Sequence, residues 1–163
     1  EVVGKLRREI PDICIRTTLI TGFPGETEEE HEELLAFVER MEFDRLGVFT
    51  YSQEEDTPAA VMAGQIPEEV KEERRAQLME LQQEIAFDAA VSMEGKLVDA
   101  MIEGKVTDED AYVARTYKDA PNVDGFLFIN TRRELMTGDF VKCRITGAYE
   151  YDLIGELEDE FTQ

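Results

Sequence analysis

Apolar residues recur at helical spacing at the start of the chain, at Val2, Val3, Leu6 and Ile10, and Pro11-Asp12 then breaks the run. From Ile13 to Thr21, "ICIRTTLIT", the period shortens to two. Ile13, Ile15 and Leu19 fall on one face, while Arg16, Thr18 and Ile20 fall on the other. One purely apolar face and one mixed face predict a strand with helices outside it and a chemical cavity inside. Thr27 and Glu30 make a T-x-x-E capping box, and Leu34, Leu35, Phe37, Val38 and Met41 give the next helix its buried stripe. Asp44-Arg45 turns the chain into a second strand, "LGVFTYS", from Leu46 to Ser52. A strand-helix-strand crossover makes a parallel pair, and ligands gather at the carboxyl ends of such strands, here Gly22 to Gly25 and Tyr51 to Gln53.

Pro67 opens a long helix, "PEEVKEERRAQLMELQQEIAFDAAVSM", with Val70, Leu78, Leu81 and Ile85 on one stripe, read as a packing strut, and Gly95 ends it. Beyond Lys96 the pattern changes to short strands, "KLVDAMIEG", "AYVARTY", "GFLFIN" and "DFVKCRITGAYEYDLIGEL", separated by turn-rich segments. Five short strands in this span predict a small closed antiparallel barrel of the kind used for ligand or nucleic-acid binding. Tyr112, Phe126, Phe128 and Phe140 are assigned to its core. The acidic segment after Leu157 is expected to be disordered.

The elbow "ITGFPGETEEE" has the layout of a nucleotide site, yet Glu26, Glu28, Glu29 and Glu30 crowd the helix N-terminus where a phosphate would sit. Those glutamates suit the positive end of the helix dipole, so they disfavour a phosphate cradle. Net charge is −21: residues 1–95 hold 9 basic and 23 acidic side chains, and residues 96–163 hold 8 and 15. Both parts would repel a nucleic-acid backbone, which favours a basic partner. Only Cys14 and Cys143 occur, which argues against a disulfide framework and against a metal site held by this chain alone. With no apolar run long enough to span a bilayer and no signal-peptide pattern, the chain is expected to be cytoplasmic. His31, one turn into a helix amid glutamates, is expected at the surface, and Arg74 and Arg75 are expected to pair along their own helix with Glu72, Glu73 or Glu80.

"RTTLITGFPGETEEEHEELLAFV", "VFTYSQEEDTPAA" and "QIPEEVKEERRAQLMELQQEI" resemble successive segments of the radical S-adenosylmethionine methylthiotransferases, and the small barrel resembles their C-terminal TRAM domain. "DAPNVDG" and "YEYDLIGEL" resemble the RimO branch of that family, which methylthiolates an aspartate of small-subunit ribosomal protein twelve. The resemblance implies an α/β segment followed by an all-β one. Residues 1–66 would be the end portion of a radical SAM (β/α) barrel, 67–94 a connecting helix, 95–157 a five-stranded antiparallel OB-like TRAM barrel and 158–163 an acidic tail. Two positions depart from the family pattern: Asp56 stands where glycine is usual and Asn122 where an acid is usual.

The resemblance also implies a site. Gly22 and Gly25 would let the elbow backbone approach the adenosyl group, with Phe23 and Pro24 beside them. Arg16 and Thr18 would contact the cofactor from the cavity face, and Tyr51 would close the rim. An ion pair is the competing role for Arg16, and packing is the competing role for Tyr51. The family uses S-adenosylmethionine and two 4Fe-4S clusters to abstract hydrogen from an aspartate β carbon and insert a methylthio group. Cluster ligation needs three or four converging thiolates, and two cysteines do not supply them, so this chain alone is expected to be inactive. Glu103, Asp108, Glu109, Asp110, Asp119 and Asp124 would dock the basic ribosomal protein. The alternatives are the tRNA-modifying branch, disfavoured by charge, and a non-catalytic binding module.

Overall fold

The computed structural model describes residues 1–160, in two compact units that divide between Ile85 and Ala86. The first unit opens with α1 (Val2–Glu9), none of whose residues is buried. β1 (Arg16–Thr21) pairs in parallel with β2 (Arg45–Thr50), in a register running from Arg16 opposite Arg45 to Thr21 opposite Thr50. α2 (Glu28–Met41) makes the crossover between them. Its start follows the predicted capping box: Glu30 N–H donates to Thr27 Oγ1 at 3.2 Å, and Thr27 N–H donates to Glu30 Oε2 at 2.9 Å. Such a cap is worth about 1 kcal/mol. Val38, Val48 and Leu78 form the buried centre, with Leu19, Leu34, Leu46, Leu81 and Ile85 packed on it. The opposite face of the two strands carries Ile20 (60% exposed) and Phe49 (62% exposed), which lie directly across from each other.

α3 (Glu68–Val91) begins the buried side of its stripe with Lys71 and Arg74, continues through Leu78, and adds Gln82. Each buried polar member has a partner. Lys71 Nζ donates to Tyr51 O at 2.9 Å, Arg74 reaches Glu26 and Glu28, and Gln82 Nε2 donates to Phe43 O at 2.8 Å. Arg74 therefore does not pair along its own helix as expected, because it lies on the inward face. Arg75, one residue on, faces outward and does pair with Glu72 at 3.2 Å. His31 also departs from expectation: it is buried, with Nε2 2.7 Å from Gln77 Oε1, because its position on α2 faces α3 rather than solvent.

In the second unit β3 (Leu97–Lys105), β4 (Ala111–Arg115), β5 (Leu127–Asn130), β6 (Phe140–Tyr149) and β7 (Asp152–Leu157) close a barrel in the order β3-β4-β5-β7-β6. The expected antiparallel barrel is corrected to a mixed one, since β5 and β7 are parallel and the other neighbours antiparallel. The reason is topological: strands around a closed ring of five cannot alternate in direction all the way round. Register shifts between Ile102 and Gly104 and between Ile145 and Gly147 supply local bends of the kind that help a short sheet curl.

The barrel core is Val98, Ala100, Ile102, Tyr112, Ala114, Leu127, Ile129, Cys143, Ile145 and Leu157, with Met93 at its edge. Of the four aromatics assigned to it, only Tyr112 is inside. Leu127 and Ile129 take the inward positions of β5, so alternation turns Phe126 and Phe128 outward, and Phe140 is 76% exposed at the start of β6. Disorder was expected from Glu158 onward, yet Glu158 N–H donates to Lys142 O at 3.0 Å, and Asp159 pairs with Arg133 at 2.6 Å. Residues 161–163 of that segment lie outside the described residues.

Candidate functional site

The elbow after β1 is built around its own carboxylate. Gly22 turns the chain with φ +77°, and its N–H donates to Glu26 Oε2 at 2.9 Å. Thr21 Oγ1 donates to Glu26 Oε1 at 3.2 Å, and Glu26 N–H closes a turn onto Phe23 O at 2.9 Å. Glu26 thus fills the place an external anion would take, which accounts for an elbow of phosphate-loop layout without a phosphate-binding lysine. Arg74 holds that carboxylate from α3, with Nη1 2.6 Å from Glu26 Oε1 and Nη2 3.0 Å from Glu28 Oε2. Burial works against the Arg74 charge, but hydrogen bonds to Glu28 and Glu26 outweigh it and hold the guanidinium above its ordinary pKa.

Lys71 locks the other side of the rim. A Cβ on Gly22 would lie 2.2 Å from Lys71 Cγ, so only glycine lets the lysine stem cross the elbow here. The same side chain ends on Tyr51 O, just past β2. Gly25, at φ +87°, donates its N–H to Gly64 O at 2.9 Å and so joins the elbow to the loop before α3. Phe23 and Tyr51 meet edge to face, with centroids 5.3 Å apart. Tyr51 Oη is buried and has no hydrogen-bond partner among the described residues.

The residues singled out in the sequence therefore divide. Gly22, Phe23, Pro24, Gly25 and Tyr51 form one rim at the carboxyl ends of the strands, while Arg16 and Thr18 lie on the same exposed sheet face as Ile20 and Phe49, nearer the start of β1. Sequence reasoning missed Glu26, Lys71 and Arg74 as parts of this structure. The available signal was the gap in the apolar stripe of α3, whose first two inward positions are basic.

The six barrel acids divide more sharply. Asp119 Oδ2 accepts from Thr116 N–H at 2.9 Å and from Thr116 Oγ1 at 2.7 Å, and Asp124 Oδ2 accepts from Ala120 N–H at 2.7 Å. Both shape their own loop. Glu103 lies 2.9 Å from Arg115 Nε, and Asp110 accepts from Arg132 Nε at 3.1 Å. Asp108 and Glu109 stand exposed at the tip of the β3–β4 hairpin, where Asp108 adopts φ +62°.

Iron-sulfur ligation does not fit this chain. Cys143 lies in the barrel core, where burial, helped by the charge of Glu156, pushes its thiol pKa up to about 12, and Cys14 belongs to the other unit. Among the described residues no group of three or more His, Cys, Asp or Glu side chains could hold a metal ion. Nor is any described helix long and apolar enough to cross a membrane.

Comparison with known proteins adds the family context. Residues 95–157 match the TRAM domain. The chain is 59% identical over 157 residues to ribosomal protein uS12 methylthiotransferase RimO of Lachnoclostridium phytofermentans, covering 96% of the chain and 36% of that relative. It is 49% identical to the protein of that name from Desulfitobacterium hafniense (96% of the chain, 35% of the relative). For that of Alkaliphilus oremlandii the identity is 46% (98% and 36%). The chain spans about a third of the length of these relatives.

Proposed function

We propose, from the premise that this chain belongs to the RimO methylthiotransferase family and matches its C-terminal part, that it supplies the adenosyl-side wall and the substrate-docking barrel of an enzyme that methylthiolates an aspartate β carbon of ribosomal protein uS12. The observation that carries this is the match across nearly the whole chain to proteins named for that substrate. The two iron-sulfur clusters of such an enzyme would be held by cysteines other than Cys14 and Cys143.

The rim fits an adenosyl group on its own geometry. Gly25 brings main chain to the surface, while Gly22 turns the chain beneath the Lys71 stem; Ile20, Phe23 and Phe49 offer apolar contact to a flat ring, and the buried Tyr51 hydroxyl lacks a partner. S-adenosylmethionine, when bound, supplies the adenosyl group that abstracts hydrogen from the substrate. The chain's own residues would orient that group: the elbow and Tyr51 from the carboxyl ends of the strands, and Arg16 and Thr18 from the same exposed sheet face. Glu26 leaves no anion site, which suits a cationic sulfonium ligand better than a phosphorylated one.

For the barrel, 15 acidic against 8 basic side chains in residues 96–163 support docking of a basic protein rather than tRNA. With Asp119 and Asp124 engaged in their loop, Glu103 paired with Arg115 and Asp110 with Arg132, the hairpin tip bearing Asp108 and Glu109 is the part of the acidic set that presents itself to a partner. Pull-down of purified ribosomal protein uS12 against bulk tRNA, at low and high salt, tests the assignment. Capture of the ribosomal protein alone, lost at high salt, is the expected result. Capture of tRNA alone would transfer the chain to the tRNA-modifying branch.

A further inference from the structure

We infer that Lys71 and Arg74 of α3 are positioning residues for the adenosyl rim, fixing the elbow at Gly22 and the end of β2 at Tyr51 in a single relative geometry. The inference rests on the function proposed above, because it assigns these two side chains to the same site. Neither belongs to β1 or β2, and both come from a helix otherwise expected to serve as a strut.

Three observations carry it. First, Arg74 is 6% exposed and bridges two successive features of the elbow, the Glu26 carboxylate and Glu28 at the start of α2. Through Glu26 it acts on Gly22 N–H, since one oxygen of that carboxylate meets the guanidinium while the other accepts the glycine amide. Second, the stem of Lys71 occupies the space a Cβ at Gly22 would need, and its ammonium, 2.6 Å from the exposed Glu68 carboxylate, donates to Tyr51 O at 2.9 Å. One side chain therefore spans the two strand ends between which a ligand would lie. Third, stability alone does not call for charge here. A buried ion pair is often matched or exceeded in stability by apolar residues of similar volume, and the same stripe of α3 continues as Leu78. What the charged pair adds over leucine is directional: it dictates where the Glu26 oxygens, and hence the Gly22 amide, must be.

The test titrates S-adenosylhomocysteine, a stable adenosyl probe, into the isotope-labelled chain and follows main-chain amides by NMR, with amide hydrogen exchange measured in parallel. In the unsubstituted chain the probe is expected to shift Gly22, Gly25 and Tyr51 saturably. Arg74→Gln should weaken binding about 10-fold or more and speed Gly22 exchange by a similar factor, while amides of the β1–β2 ladder keep their protection. Arg74→Lys should restore part of both effects, and Lys71→Met, which keeps the stem but loses the ammonium, should weaken binding with its shift changes centred on Tyr51. Unchanged affinity and unchanged Gly22 exchange in Arg74→Gln would overturn the inference. If that variant also loses ladder protection, Arg74→Lys and Lys71→Met decide: wild-type affinity in both overturns it. Absence of any saturable shift at the rim of the unsubstituted chain would instead overturn the adenosyl assignment. In that event faster Gly22 exchange in Arg74→Gln would still support Arg74 as the residue that holds the elbow.

Discussion

The sulfur of Cys143 lies over Gly155 of the neighbouring strand: a Cβ built on Gly155 would stand 2.4 Å from Sγ and 2.8 Å from Arg144 O. The glycine is required by this close approach, because its φ is not in the left-handed region. Gly155→Ala is therefore expected to overpack the barrel and cost about 1–3 kcal/mol or more, seen as a lower urea midpoint. A variant as stable as the unsubstituted chain would show that β6 and β7 separate more easily than their packing implies.

The same thiol should make the barrel sensitive to alkali. Burial, then the charge of Glu156, raises the Cys143 pKa from 9.0 to about 12 in the folded chain. The folded state thus keeps a proton that the unfolded state releases. Its contribution to stability is complete below pH 9 and is lost as pH rises from 9 toward 12, by about 1.4 kcal/mol per unit at most. Urea unfolding at pH 8 and pH 10.5 should show a smaller loss in Cys143→Ala than in the unsubstituted chain. Equal losses would assign the alkaline sensitivity to other groups.

How far the sequence discloses this fold depends on which residue types occupy its buried positions. The capping box at Thr27, the parallel pair of β1 and β2, and the strand-rich second unit all follow from local pattern. Features that fail to show are those in which a polar residue takes an inward position and is satisfied by something distant in sequence. Arg74 meets Glu26 across 48 residues, and His31 meets Gln77 across 46, so neither partner is visible from local charge spacing. The aromatic residues of β5 mislead in the opposite way: bulk suggested core, whereas alternation around Leu127 and Ile129 decides. The departures at Asp56 and Asn122 become intelligible only with dihedral angles. Both residues sit at positive φ, +63° and +58°, a region that Asp and Asn tolerate better than most side chains.

The inward and outward positions of the barrel give a direct contrast between β5 and β6. Ile129→Ala should cost about 2–5 kcal/mol, because the side chain is fully buried in the barrel core. Phe140→Ser should change stability by no more than about 0.5 kcal/mol despite removing a larger apolar group, since Phe140 projects into solvent. Paired urea melts would reveal a misplaced register at once, as a one-residue slip exchanges the inner and outer faces of a strand.

Glu42 ends α2 in the left-handed region, at φ +43° and ψ +58°. All its described bonds are main-chain: its N–H donates to Val38 O at 3.0 Å, and its carbonyl accepts from Arg7 Nη2 at 2.7 Å. Glycine would keep both bonds and remove backbone strain of roughly 1 kcal/mol, partly offset by the greater freedom glycine has when unfolded. It would also remove a negative charge from the negative end of a helix, within a chain of net charge −21. Glu42→Gly is therefore expected to stabilise the first unit by about 0.5–1 kcal/mol. Glu42→Ala separates the two contributions, because it removes the charge but keeps the strain, and it should fall between glutamate and glycine. If alanine equals or exceeds glycine in a urea titration, charge at the helix end, not the left-handed backbone, sets the stability of this junction.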